Sequence, residues 1–238
     1  LAAELNNPGT LTLSYPLTIN KPGAKHLNSS TINVSAADLA VTQSGGGKFT
    51  NTGAIAIAST RTWTVTGDSL DVTLGSVSGA GQLDVTGTAT YLFTTATVTA
   101  PMFLAGTITI PGGISVPSGE TLTLLTGTTI DEPIANAGTI SLGGTVTFNG
   151  TFTNVNPSLL RVGGVAGQTV LTIANGFTNN GTIDLTATTA GFNTQLAVTT
   201  GTLTNVGSIN SVAGVAGGSR TLAAPLANSG TATISYPL

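Results

Sequence analysis

Polar and apolar residues along this chain fall into one short pattern that keeps returning. An apolar residue is followed two places later by Asn, two places later by Gly, and then by further apolar residues two and four places beyond. It reads LNNPGTLTL at 5–13, FTNTGAIAI at 49–57, IANAGTISL at 134–142, FTNNGTIDL at 177–185, LTNVGSINS at 203–211 and LANSGTATI at 226–234. Weaker copies put Ser30 (LNSSTINV, 27–34) or Asn156 (FTNVN, 152–156) in the Gly place. Gly81 and Gly106 keep the trailing apolar pair, Leu83/Val85 and Ile108/Ile110, but lack the Asn. Alternation at every second residue predicts half-buried strands. The abundance of Thr and Val suits them, and Gly interrupts every window in which a helical stripe could form.

Taking the Gly places as 9, 30, 53, 81, 106, 138, 156, 181, 207 and 230 divides the chain into nine short units. Gly at a sharp corner permits positive φ, and Asn is the usual substitute there, which suits Asn156. Such a unit cannot bury its apolar side alone, whereas stacked copies pair strand on strand about 4.8 Å apart. Like residues then stack. Leu5, Phe49, Ile134, Phe152, Phe177, Leu203 and Leu226 form one apolar ladder. Asn7, Asn28, Asn51, Asn136, Asn154, Asn179, Asn205 and Asn228 form another, their amides bonding along the axis. The predicted fold is all-β, a single right-handed parallel β-solenoid over 1–238 of nine to ten coils with 18–32 residues each. Handedness follows the usual crossover rule.

A longer interval lies over the short one. Residues 1–17, LAAELNNPGTLTLSYPL, and 222–238, LAAPLANSGTATISYPL, agree at twelve of seventeen positions with a constant offset of 221. The two segments read as equivalent positions of a 221-residue long repeat. The chain then reads as one repeat plus an overlap, cut from a longer array. A finite subunit that stacks head to tail on its neighbour is the other reading.

The coil pattern with its Asn-x-Gly corners resembles the right-handed β-helix of filamentous-haemagglutinin-type and autotransporter-type surface proteins of Gram-negative bacteria. The resemblance implies secretion, display at the cell surface and adhesion, and it transfers no catalytic residues.

Composition narrows the chemistry. Only 6% of the residues are charged, nine acidic and six basic, with no Cys. Without a basic patch nucleic acid is not an expected partner. Without Cys there is neither a disulfide framework nor a thiolate metal site. Mean hydropathy is +0.36, yet no run of eighteen apolar residues occurs, so no membrane-spanning helix is expected. His26 has no partner at metal-ligand spacing and reads as a surface loop residue. Ser44–Lys48 lacks phosphate-loop spacing. No cofactor is expected, and the chain does not read as an enzyme.

Two acidic clusters stand out, Asp131 with Glu132 and Asp68 with Asp71. The second lies near Arg61 and Trp63, and these residues could form a groove for a glycan, as in the carbohydrate-active enzymes built on solenoids. Solvated loop acids are the competing reading. Thr-x-Thr pairs such as Thr62/Thr64/Thr66 and Thr107/Thr109 suggest an ice-binding face, but the pairs directly after the Gly place are irregular from coil to coil. The favoured function is a stalk or fibre segment of an extracellular bacterial filament or adhesin that associates with itself. The alternatives are a surface protein that binds a cell-surface glycan or receptor, and a polysaccharide-active enzyme.

Overall fold

A computed structural model describes the chain except residues 88–89, 93–95, 98–99, 109, 111, 166, 216 and 238; for 90–92, 96–97 and 107–108 it describes the backbone alone. Thr109 of the Thr107/Thr109 pair lies outside the described residues. Among those described there is no helix, and parallel strands stack as a β-solenoid of about nine turns. The turns divide between two compact units, Leu1–Gly112 and Gly113–Leu238.

Each coil of the first unit contributes to three parallel sheets. One holds Asn6–Asn7, Lys25–Asn28, Lys48–Asn51, Ser69–Asp71 and Thr90–Leu92. The next, after the corner, holds Thr10–Thr12, Thr31–Val34, Ala54–Ile57 and Ser76–Ser78. The third holds Leu17–Ile19, Leu39–Thr42, Thr62–Thr66, Gln82–Thr86 and Met102–Ala105. Alternation decides what is buried. Trp63 and Val65 lie between Leu39 and Val41 of one coil and Leu83 and Val85 of the next, and all six point inward.

The second unit repeats the scheme. Its strands after the corner are Thr121–Leu124, Thr139–Leu142, Leu159–Val162, Thr182–Leu185, Ser208–Ser211 and Thr231–Ile234. Two long strands, Thr169–Asn179 and Thr194–Asn205, bend so that their first halves pair with Gly144–Phe148 and Arg220–Ala223. Their last residues join Phe152–Asn154 and Leu226–Asn228. A core of Ile, Leu, Val and Phe fills the interior, with Phe152 against Phe148 at 5.5 Å and edge-on to Phe177 at 5.1 Å. Aromatic pairs at these distances add to the burial term.

Register corrects three of the expected Gly places. Ala54 pairs with Ser76, so Gly75 rather than Gly81 follows Gly53. Gly81 precedes Gln82–Thr86, a strand of the third sheet, and Gly106 directly follows Met102–Ala105 of that sheet. Thr139 pairs with both Thr121 and Leu159, so Glu120 and Ser158 occupy the neighbouring places. Asn156 lies exposed in the turn before Leu159–Val162. Coil spacing along the Asn columns runs from 18 to 26 residues, and the units of 28 and 32 residues vanish with the misplaced corners.

The reason for Gly at the corner also differs from the expectation. None of Gly9, Gly53, Gly138, Gly181, Gly207 and Gly230 has positive φ. A Cβ on Gly53 would strike the carbonyl oxygen of Ser30 one coil below, and one on Gly207 would strike that of Gly181. At Gly53, Gly138, Gly207 and Gly230 the corner excludes a side chain because two backbones pass too closely, whereas Ser30, Glu120 and Ser158 hold the place on other coils.

Candidate functional site

The expected glycan groove around Trp63 does not form. The Trp63 ring is wholly buried, tilted against Phe49 at 5.4 Å, and its Nε1 has no partner among the described residues. A ring held inward cannot stack on a sugar. Asp68 and Asp71 serve the coils instead. Asp68 accepts the N–H of Gly47 at 2.7 Å. Asp71 accepts the Lys48 ammonium at 2.6 Å and both the N–H and the hydroxyl of Thr73. Burial alone would raise the Asp71 pKa, but these donors together hold it below the ordinary carboxylate range.

The polar feature the structure does assemble is internal. In the second unit Asn136 Nδ2 donates to Asn154 Oδ1, Asn154 to Asn179, Asn179 to Asn205 and Asn205 to Asn228, at 2.7–2.8 Å. In the first unit Asn7 donates to Asn28 and Asn28 to Asn51, each at 2.7 Å. The second N–H of each donating amide reaches a backbone carbonyl just past the corner, as Asn179 does to Ser208 at 3.1 Å. The column thus ties the Asn strands to the strands that follow them, and it satisfies groups whose burial would otherwise be costly. Each column stops where the letter changes. Thr50 pairs with Asp71, placing Val72 above Asn51. Val116 pairs with Asn136, whose Oδ1 is buried without a donor.

Two buried polar side chains escaped sequence reasoning. His26 is buried rather than exposed and pairs in register with Phe49. Its Nδ1 accepts the N–H of Leu5 at 3.1 Å, while its Nε2 has no partner among the described residues. Desolvation lowers its pKa, with Glu4 opposing and Lys21 adding to the shift. The signal was available, because His26 stands two places before Asn28 as Phe49 stands before Asn51. Arg220 is fully buried and directs its guanidinium at the carbonyls of Val212, Ala213, Gly217 and Ser219, with the Tyr236 ring 4.7 Å away. No sequence pattern marks it.

Among the described residues, no group of three or more His, Cys, Asp or Glu could hold a metal ion, and no helix is long and apolar enough to cross a membrane. Outward columns on the strands after the corner are chemically mixed; one reads Ser141, Arg161, Asp184, Asn210, Thr233. The regular array of an ice-binding face is not present on it. No family model, curated protein or solved structure matches the chain.

Proposed function

We propose that the chain is a structural segment of an extracellular bacterial stalk or fibre, built on a 221-residue long repeat and associating end to end with itself. One observation carries this reading. Residues 1–17 and 222–238 are alike in letters, and each carries an Asn two places before a Gly corner. Asn7 and Asn228 each sit on an amide column, and Thr10–Thr12 and Thr231–Ile234 each follow the corner. The work is mechanical: parallel ladders, amide columns and stacked apolar side chains join each coil to the next. Burying each inward Ile, Leu, Val or Phe contributes roughly 1.5–3 kcal/mol, which helps offset the ordering cost of a Gly-rich chain. Low charge leaves little repulsion between neighbouring molecules. Surface display follows the resemblance in the coil pattern.

The test is electron microscopy of chains carrying one, two and three copies of the 221-residue interval. Particle length should grow by about 43–48 Å per copy, nine to ten coils at about 4.8 Å each. Particles that widen or clump without lengthening would reject the repeat.

A further inference from the structure

The second unit has two cations, Arg161 and Arg220. Arg220 is buried, so Arg161 is the unit's one exposed basic side chain. It stands on the outer side of Leu159–Val162, directly beside Asp184 on the next coil, and Asn210 follows on the coil after that. Neighbouring strands lie about 4.8 Å apart, close enough for Arg161 and Asp184 to pair. They do not: the ion pairs among the described residues are Lys48 with Asp71 and Arg61 with Asp38. Asp184 Oδ1 accepts the Asn210 amide at 2.9 Å. Its Oδ2 and the Arg161 guanidinium have no protein partner among the described residues.

These side chains open onto a groove of about 330 Å³ whose apolar wall is Ala187, Val212 and Val215. The wall is fixed from behind. Val212 and Val215 donate their N–H groups to Leu185 and Ala187 of the preceding coil. Arg220 holds the same loop through the carbonyls of Val212, Ala213, Gly217 and Ser219. Among the described residues, a buried guanidinium with no carboxylate thus orders the loop beside an exposed guanidinium with none.

We propose that this groove binds an acidic saccharide carrying one carboxylate per ring, a uronate. Arg161 takes the carboxylate through paired N–H donors. The free oxygen of Asp184 accepts a ring hydroxyl, and Ala187, Val212 and Val215 meet the C–H face of the sugar. The charges of Arg161 and Asp184 cancel, which favours a singly charged ring and disfavours a phosphate dianion beside Asp184.

The test is an NMR titration of the whole chain with trigalacturonate, galactotriose and a sulfated trisaccharide. Trigalacturonate should shift the amides of 184–188 and 210–215. Arg161→Gln should weaken its binding roughly ten-fold or more, as expected for a lost charge-assisted hydrogen bond. Arg161→Lys should fall between the two, and an unchanged circular dichroism spectrum would show that both variants fold. Galactotriose and the sulfated sugar should bind at least ten-fold more weakly. Absence of shifts in the groove, Arg161→Gln binding equal to the parent, or equal binding of the neutral or sulfated sugar would each overturn the proposal.

Discussion

At the scale of single residues, the Asn columns make sharp demands. Asn179 accepts from Asn154 and donates to Asn205 and Ser208 while fully buried. Asn179→Ala takes the acceptor from the Asn154 amide and the donor from the Asn205 oxygen and the Ser208 carbonyl, and a stranded buried group costs about 1–3 kcal/mol. We expect a loss of about 2–5 kcal/mol in urea unfolding, against less than about 0.5 for the outward Thr178→Ala. Gly207→Ala should cost about 1–3 kcal/mol, because its methyl group meets the Gly181 carbonyl. His26 supplies a pH dependence. Its folded pKa is lowered, so the unfolded chain takes up a proton first as pH falls. Stability should therefore drop below about pH 6.5, the ordinary His value. Thermal melts at pH 8 and pH 5 should show it, and His26→Phe should remove that difference. The Asn columns were legible because a buried amide needs a partner on every coil. The reason for Gly was not, since a left-handed turn and a close backbone approach both simply exclude Cβ.

Elements were legible as strands and less so as positions in the coil. Alternation marks all three sheets equally, and only Asn identifies one of them. Where Asn is missing, Gly81 and Gly106 passed for corners although they flank strands of the third sheet. The Trp63 groove failed for a related reason. Asp68 and Asp71 lie close in sequence, but Trp63 falls on the inward phase of Thr62–Thr66. The pairing of Arg161 with Asp184 needed the register, because they are twenty-three residues apart in the chain. Strand phase is also what an insertion would disturb. One Ala inserted after Ile140 would turn Leu142 outward and should abolish cooperative unfolding. One Ala after Ala190, in the loop between Thr182–Leu185 and Thr194–Asn205, should shift Tm by no more than about 4 °C.

For the molecule as a whole, six basic residues set the trypsin map. Mass spectrometry of native digests should find the bond after Arg220 intact, since that side chain is wholly buried; early cleavage there would contradict the packing of the loop it holds. The amide columns have a broader consequence. Backbone hydrogen bonds between coils run both ways, the Leu27 N–H down to Leu5 and the Leu13 N–H up to Asn33, so their dipoles largely cancel. Every Asn amide instead donates toward the coil that follows. With about 3.5 D for an amide group, each column adds up to a small electret, its negative pole at the first Asn and its positive pole at the last. That is opposite in sense to an α-helix. In a protein with so few formal charges, this built-in field gives each stack of coils an electrical direction, drawing anions toward one end and cations toward the other.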